Sequence, residues 1–189
     1  MTSGGGDAGA RAAKAELRGR LMAARAGLDP SETAEALARA VLPLADGVRC
    51  VASYVSVGTE PSTWALNRAL DGGQLLLPVL RGDGDLDWAL AAGPLVRTGR
   101  GLLEPSGPRL GLDAVAGADL VVVPALAVDR RGRRLGRGGG SYDRALRRVG
   151  AMTVALLHDG ELVEDLPAEA HDVPVDAVVA AAGGLVRLS

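Results

Sequence analysis

The chain of 189 residues is most notable for what it lacks. It has no Phe and no Ile, a single Lys, a single Asn and a single Cys, and only four aromatic side chains, two Trp and two Tyr. The scarce amino acids are those with AT-rich codons, whereas Gly and Arg are abundant, which indicates a GC-rich genome rather than a special fold. The lone cysteine excludes an intramolecular disulfide and a thiolate metal cluster.

Long apolar runs and targeting signals are also missing. No run approaches the roughly 20 apolar residues needed to cross a bilayer, and the Gly-rich N-terminus lacks the apolar region of a signal peptide. With 48% hydrophobic and 23% charged residues, the composition is that of a soluble globular protein. We therefore expect a cytoplasmic protein with no membrane partner, in which residues 1–10 form a disordered tail and residues 11–189 form one domain. We also expect a monomer, although nothing in the composition specifies the oligomeric state.

Apolar runs of four to eight residues alternate with helical patterns along the chain. Most runs are continuous, as in strands that are covered on both faces, so the pattern predicts an α/β fold of three layers, Rossmann-like, with an open and mainly parallel sheet. Gly183-Gly184 predicts a hairpin with an antiparallel edge strand after it, and residues 82–84 predict another turn. The predicted strands are 48–55, 74–79, 120–123, 153–157, 177–181 and 185–188, and the predicted later helices are 31–44, 62–70 and 142–149.

The charge of the chain is unevenly distributed. Residues 130–148 hold eight arginines and one acid, Asp143, so that this basic island carries +7 in a chain whose net charge is −2. A nucleic-acid-binding protein usually spreads basic charge over a whole face, so the island argues against nucleic acid and favours a compact anionic ligand such as a phosphate group.

The first helix, predicted over about residues 11–26, carries a second concentration of basic charge. At about 100° per residue, its basic residues fall in one sector and its leucines in the neighbouring one. This pattern predicts a basic ridge beside the face by which the helix docks on the domain. A solvated charged face beside a core stripe is the alternative that explains the same pattern. The ridge consists of Arg11, Lys14, Arg18 and Arg25.

A loop rich in glycine and arginine follows the predicted strand 120–123. Four glycines within residues 136–140 let backbone amides turn inward, a helix then begins, and Arg134 and Arg137 add forked donors that suit phosphate oxygens. Two familiar motifs do not apply. A P-loop needs Gly-Lys, but Lys14 is the only lysine, and a dinucleotide fingerprint would follow its strand directly. The loop predicts a phosphate site, with a flexible surface loop as the alternative.

The string from Arg134 to Asp143, Arg-Leu-Gly-Arg-Gly-Gly-Gly-Ser-Tyr-Asp, resembles the signature of the 5-formyltetrahydrofolate cyclo-ligases, also called methenyltetrahydrofolate synthetases. The similarity extends over nearly the whole chain after the tail. Further matching segments are Lys14 to Arg18, Glu60 with Thr63, Gly101 to Pro105, Val123 to Ala127, His171-Asp172 and Val175-Asp176.

The resemblance implies an enzyme that closes 5-formyltetrahydrofolate to 5,10-methenyltetrahydrofolate with ATP and Mg²⁺, releasing ADP and phosphate. The residues at the reacting groups would be Arg134, Arg137 and Tyr142. The ATP site would comprise Lys14, Arg18, Arg134, Gly136, Arg137, Gly138, Gly139, Gly140, Ser141 and Tyr142. The folate site would comprise Glu60, Arg137, Gly138, Gly139, Gly140 and Ser141. The Mg²⁺ ligands would be Asp143 and Asp172, whose carboxylate oxygens suit this ion.

One position departs from the family signature. Ser141 stands where the family usually has the first of two tyrosines, which removes an aromatic wall and a hydroxyl beside the folate. A non-catalytic sensor of a nucleotide or phosphosugar, built on a similar scaffold, is therefore the alternative. The joint presence of Lys14, Arg18, Glu60, Asp143 and Asp172 favours the enzyme, because a sensor has little use for a metal pair.

Overall fold

A seven-stranded sheet forms the centre of the protein in the computed structural model, which describes residues 4–70, 74–169 and 171–188. The helices are α1 (Gly4–Arg25), α2 (Ala34–Val41), α3 (Trp64–Ala69) and α4 (Ser141–Leu146), with shorter 3-10 turns at Pro30–Thr33, Leu42–Leu44 and Leu112–Gly117. The strands are β1 (Cys50–Ala52), β2 (Gln74–Leu80), β3 (Leu86–Leu90), β4 (Leu95–Arg97), β5 (Leu103–Pro105), β6 (Leu120–Pro124), β7 (Ala127–Asp129), β8 (Arg134–Leu135), β9 (Met152–Leu157), β10 (Leu162–Val163), β11 (Ala177–Ala180) and β12 (Gly184–Arg187).

The strand order of the main sheet is β12-β11-β9-β6-β1-β2-β3. The five inner strands run parallel, which confirms the predicted fold class. The predicted terminal hairpin is confirmed as well, because Gly184 has a φ of 63° and β12 pairs antiparallel with β11. The opposite edge also has an antiparallel strand, β3, which follows the turn predicted at residues 82–84. This strand was not predicted, since the buried carboxylate of Asp87 interrupts its apolar pattern.

Both faces of the sheet are covered, which explains the continuous apolar runs. In β6, Val121 and Val123 pack on one face with α4, while Leu120 and Val122 pack on the other with α2 and α3. The predicted helix over residues 31–44 is one α-helix flanked by two 3-10 turns. Pro43 accounts for the change from the α-helix to the second 3-10 turn, Leu42–Leu44, because proline donates no backbone hydrogen bond.

The first helix is longer than predicted. It begins at Gly4, so residues 4–10, which were predicted to belong to a disordered tail, are helical, while residues 1–3 lie outside the described residues. Ala8 and Ala10 favour this extension because alanine has the highest helix propensity. Leu17 and Leu21 pack against Ala127, Leu135 and Leu166, so the leucine stripe does dock on the domain.

Two small sheets complete the fold. β10, β7 and β8 form one of them, and the β4–β5 hairpin forms the other, close to β2. Their strands have two or three residues each, too few to show a periodic pattern in the sequence. None of the helices in the described ranges is long and apolar enough to cross a membrane.

Candidate active site

A large cavity opens where parallel strands of the main sheet end. Its wall includes Tyr54, Val55, Val57 and Glu60 after β1, Pro78 and Leu80 at the end of β2, and Pro124 to Leu126 at the end of β6. Its volume is about 720 Å³. Ligands of open α/β sheets bind outside the carboxyl ends of the strands, so this cavity lies at the expected place.

Every residue that the sequence assigned to a site lines this one cavity. Residues that are up to 158 positions apart in the chain are thereby brought together. They are Lys14, Arg18, Glu60, Arg134, Gly136, Arg137, Gly138, Gly139, Gly140, Ser141, Tyr142, Asp143 and Asp172. The structure gives their positions, whereas their roles remain a proposal.

The cavity wall is rich in positive charge, contributed by two segments. Helix α1 contributes the whole basic ridge, Arg11, Lys14, Arg18 and Arg25, and the basic island contributes Arg134, Arg137 and Arg144. The five other arginines of the island lie outside the cavity, and most of them form ion pairs with acids elsewhere, as Arg148 does with Asp85. Seven cationic and five acidic side chains therefore line a cavity in a protein of net charge −2, which favours an anionic ligand.

Lys14 is held at the cavity wall by two carboxylates. Its Nζ lies 2.9 Å from Oε2 of Glu169 and 2.7 and 2.6 Å from the two carboxylate oxygens of Asp172, and the residue is only 4% exposed. Hydrogen bonds from Lys14 and Arg11 lower the pKa of Glu169 to about 2. A solvated charged face was the alternative explanation for the basic ridge. This explanation is wrong at Lys14, because its side chain is buried and its ammonium is held by the two carboxylates.

Arg18 and the glycine loop contact each other directly. The Arg18 Nε donates to the carbonyl oxygen of Gly136 at 2.9 Å, and its guanidinium lies 3.5 Å from where a side chain on Gly138 would begin. Gly138 also has a φ of 99°, which L-residues with side chains rarely adopt. The loop therefore favours glycine at this position because of its backbone angle, while Arg18 would only touch an added side chain.

The helix after the loop is shorter than predicted. Gly140, with a φ of 67°, precedes α4, which spans only six residues, so its macrodipole is small and arginines supply most of the positive charge. Arg134 Nη2 donates to Asp143 Oδ1 at 2.8 Å, and its guanidinium lies 5.8 Å from the centre of the Tyr142 ring. Burial, with Glu60 nearby, raises the pKa of the Tyr142 phenol, which therefore stays protonated as a donor.

Glu60 lies on the loop after β1, facing the glycine loop. Its Oε2 accepts from the backbone N–H of Val57 at 2.9 Å, and its Oε1 lies 3.2 Å from Arg137 Nε. Burial raises the pKa of this carboxyl despite both contacts. A perturbed, buried acid beside a basic loop is typical of a functional site.

We expect Glu60→Gln to stabilise the protein at neutral pH. Because the folded-state pKa of Glu60 is raised, its ionisation disfavours the folded state, and this penalty grows as the pH rises from the unfolded value of about 4.5 through the folded value. The difference in melting temperature between the variant and wild type should thus be larger at pH 7 than at pH 4. A variant that melts below wild type at pH 7 would contradict this expectation.

Several residues of the cavity were not identified from the sequence. Arg25 was placed on the basic ridge without a role, and it is fully buried in a paired contact with Glu161, 2.6 Å at each of two oxygens. Glu169 and Arg144 flank assigned residues, but no local pattern marks them. The apolar part of the wall was not predicted either; it comprises Pro78, Leu80, Leu86, Leu102 and Leu103.

The two predicted Mg²⁺ ligands differ in how well they suit a metal. Asp143 gives one carboxylate oxygen to Arg134, and its other oxygen makes no hydrogen bond within the described residues, so this carboxylate fits a hard cation. Both carboxylate oxygens of Asp172 accept hydrogen bonds from the ammonium of Lys14. Asp172 also lies with Glu169 and His171 in a group whose possible ligand atoms are within 4.8 Å of one another. Lys14 and Arg11 together already balance the charges of the two carboxylates in that group.

Comparison with known proteins decides which family this cavity belongs to. The model of the 5-formyltetrahydrofolate cyclo-ligase family matches residues 10–181, nearly the whole chain. The chain belongs to the 5-formyltetrahydrofolate cyclo-ligase family. The predicted family and enzyme class are thereby confirmed.

Individual cyclo-ligases support the same assignment. The chain is 43% identical over 150 residues to a 5-formyltetrahydrofolate cyclo-ligase of Mycolicibacterium smegmatis, which covers 74% of this chain and 77% of that relative. It is also similar to the NMR structure of a 5,10-methenyltetrahydrofolate synthetase from Aquifex aeolicus, with a TM-score of 0.77, 28% identity and coverage of 93% and 92% of the two chains. A synthetase from Mycoplasma pneumoniae, 16% identical with a TM-score of 0.69, shares the fold.

Proposed function

We propose that this cyclo-ligase converts 5-formyltetrahydrofolate to 5,10-methenyltetrahydrofolate, using ATP and releasing ADP and phosphate. One observation carries the proposal: Lys14, Arg18, Arg134 and the glycine loop converge in a single cavity that also has an apolar wall. The cationic side chains and the glycine loop suit a triphosphate, and the apolar wall suits the rings of a folate.

The chemistry explains why a phosphoryl donor is needed. The formamide oxygen on N5 is a poor leaving group, so it first attacks the γ-phosphorus, and ADP departs. The resulting imidate-like phosphate is then attacked at its carbon by N10 of the same folate, phosphate leaves, and N10 loses its proton. Because this attack is intramolecular, the protein chiefly has to position the groups and compensate phosphoryl charge.

The proposed roles follow from the contacts. Lys14 and Arg18 bind ATP phosphates from α1, and the backbone amides from Gly136 to Gly140 surround the transferred group together with Arg134 and Arg137. Tyr142 remains a protonated donor beside them, since its pKa is raised. Glu60 contacts the folate and orients Arg137 through the 3.2 Å ion pair.

Asp143 is the residue we propose to hold Mg²⁺, which would compensate charge on the phosphate oxygens. Its ion pair with Arg134 places it beside the phosphate loop. Asp172 was predicted as a second ligand, but its carboxylate is the counter-ion of Lys14, so a metal there would require the ammonium to move. We therefore propose that Asp172, with Glu169, mainly positions Lys14.

Replacing Ser141 with tyrosine is expected to lower the apparent KM for 5-formyltetrahydrofolate. Ser141 lines the cavity at the start of α4 and is partly exposed, so an added ring would extend the wall of the folate site. Steady-state kinetics with each substrate varied in turn would test this. The KM for ATP serves as the internal control, and an unchanged or higher KM for the folate would contradict the prediction.

The competing function is a non-catalytic sensor of a nucleotide or phosphosugar. Purified protein should be mixed with 5-formyltetrahydrofolate, ATP and Mg²⁺, and the methenyl product followed by its absorbance. Turnover that depends on all three components supports the enzyme. No product, together with a melting temperature that rises with ATP or a sugar phosphate, would support the sensor instead.

A further inference from the structure

Glu104 differs from every other acid of the cavity. Five acidic side chains line the wall, and within the described residues four of them form an ion pair with a lysine or arginine. The pairs are Glu60 with Arg137, Asp143 with Arg134, Glu169 with Lys14 and Arg11, and Asp172 with Lys14. Glu104 alone among these acids has no cationic partner in that part of the chain.

The carboxylate of Glu104 is buried beside leucines and makes one hydrogen bond with the backbone. The residue lies on β5, is only 7% exposed, and gives one oxygen, Oε1, to the backbone N–H of Leu80 at 2.9 Å. Leu80 pairs with Leu86 across the β2–β3 ladder, and both line the cavity, as do Leu102 and Leu103. A buried carboxylate with a single hydrogen bond and no cation is costly, and a ligand that donates to it would relieve that cost.

The chemistry of the substrate provides such donors. The pyrimidine ring of the pterin in 5-formyltetrahydrofolate is flat and mostly apolar on its faces, and its 2-amino-4-oxo edge presents two adjacent N–H groups. A carboxylate accepts such a pair in a bidentate contact, and hydrogen bonds of this charge-assisted kind are among the strongest. An apolar wall around one carboxylate is therefore complementary to that edge and to the ring faces.

We infer that Glu104 is a specificity-determining residue that binds the 2-amino-4-oxopyrimidine edge of the pterin, with the leucines around it packing against the ring. This inference rests on the proposed function and deepens it. It assigns the pterin edge to the β5 side of the cavity, opposite in character to the cationic wall, and leaves Glu60, which is paired with Arg137, to contact another part of the folate. It also explains why an acidic side chain occupies this buried position, which an apolar side chain could fill.

A purely structural role is the rival explanation, because the bond to Leu80 also ties β5 to β2. Glu104→Gln separates the two roles. The glutamine carbonyl can still accept from Leu80, but the amide that replaces the second oxygen donates instead of accepting, and so opposes the pterin N–H groups. A matched control is Asp87→Asn on β3, a buried carboxylate whose Oδ1 accepts from Trp88 and Gly111 and which does not line the cavity.

The test compares 5-formyltetrahydrofolate with its analogue in which a methyl group replaces the 2-amino group. Wild type should prefer the natural substrate in kcat/KM by about 10- to 100-fold, the range given by hydrogen bonds to a charged group. Glu104→Gln should lose most of this preference through a higher KM for the natural folate, with the KM for ATP unchanged, while Asp87→Asn should keep the preference.

Failure of the Glu104 inference and failure of the proposed function give different results. If Glu104→Gln keeps the wild-type preference and folate KM, the inference is overturned, whether or not its melting temperature falls. If wild type turns over both compounds equally, Glu104 does not recognise the 2-amino group, and the inference is likewise wrong. If wild type turns over neither compound, the proposed function itself fails.

Discussion

Lys14→Arg is expected to lower kcat/KM by about 10²- to 10³-fold, the cost of removing one well-placed donor from a charged transition state. The ammonium of Lys14 is nearly buried and lies 2.6 to 2.9 Å from three carboxylate oxygens of Glu169 and Asp172. A planar guanidinium is larger and directs its donors in a fork, so it cannot occupy that position without moving the acids or withdrawing from the cavity.

The prediction has a matched control on the same helix. Arg20 is exposed and does not line the cavity, so Arg20→Lys, the opposite exchange, should leave activity unchanged. Steady-state kinetics with ATP and folate varied separately would be combined with thermal melting, which detects a folding defect. Activity of Lys14→Arg close to wild type would mean that the single lysine of the chain occurs there by chance.

Asp143→Asn is expected to reduce Mg²⁺-dependent turnover by about 10²-fold or more, because a carboxylate that binds the metal is replaced by a neutral amide. The amide oxygen can still accept from Arg134, and the side chain is partly exposed, so the fold should be retained. The decisive measurement is the rate as a function of Mg²⁺ concentration, where the variant should need far more metal for half-maximal activity.

The control for this variant is another acid paired with an arginine of the basic island. Asp113 lies 3.5 Å from Arg148, is almost fully exposed and is outside the cavity. Asp113→Asn should therefore show the wild-type dependence on Mg²⁺. If Asp143→Asn shows that same dependence, Asp143 is not part of the metal site.

Local patterns predicted several, but not all, of the elements that meet at the cavity. Continuous apolar runs predicted the inner strands, and the string from Arg134 to Asp143 predicted the loop. Helical periodicity placed Lys14, Arg18 and Arg25 on one ridge, but it could not show that this ridge faces inward. That depends on Glu169 and Asp172, which are 155 and 158 residues away from Lys14.

The residues that sequence reasoning missed are defined by tertiary contacts. Glu104 lies in the segment Gly101 to Pro105, which resembles the family, but it is distinctive because it forms no ion pair within the described part of the chain, a property that no spacing along the sequence encodes. The strand β3 escaped prediction because Asp87 interrupts its apolar pattern, and this acid is buried only because Trp88 and Gly111 donate their backbone N–H groups to it. Strands β7, β8 and β10 are too short to have a period.

In the proposed reaction, a phosphoryl group passes from ATP to the formyl oxygen of the folate within this cavity. The most direct test uses 5-formyltetrahydrofolate labelled with ¹⁸O in the formyl group, with ATP and Mg²⁺, and mass spectrometry of the inorganic phosphate that is released. If the formyl oxygen accepts the phosphoryl group, the released phosphate contains one ¹⁸O atom for each methenyl product formed. Methenyl product accompanied by unlabelled phosphate would contradict it.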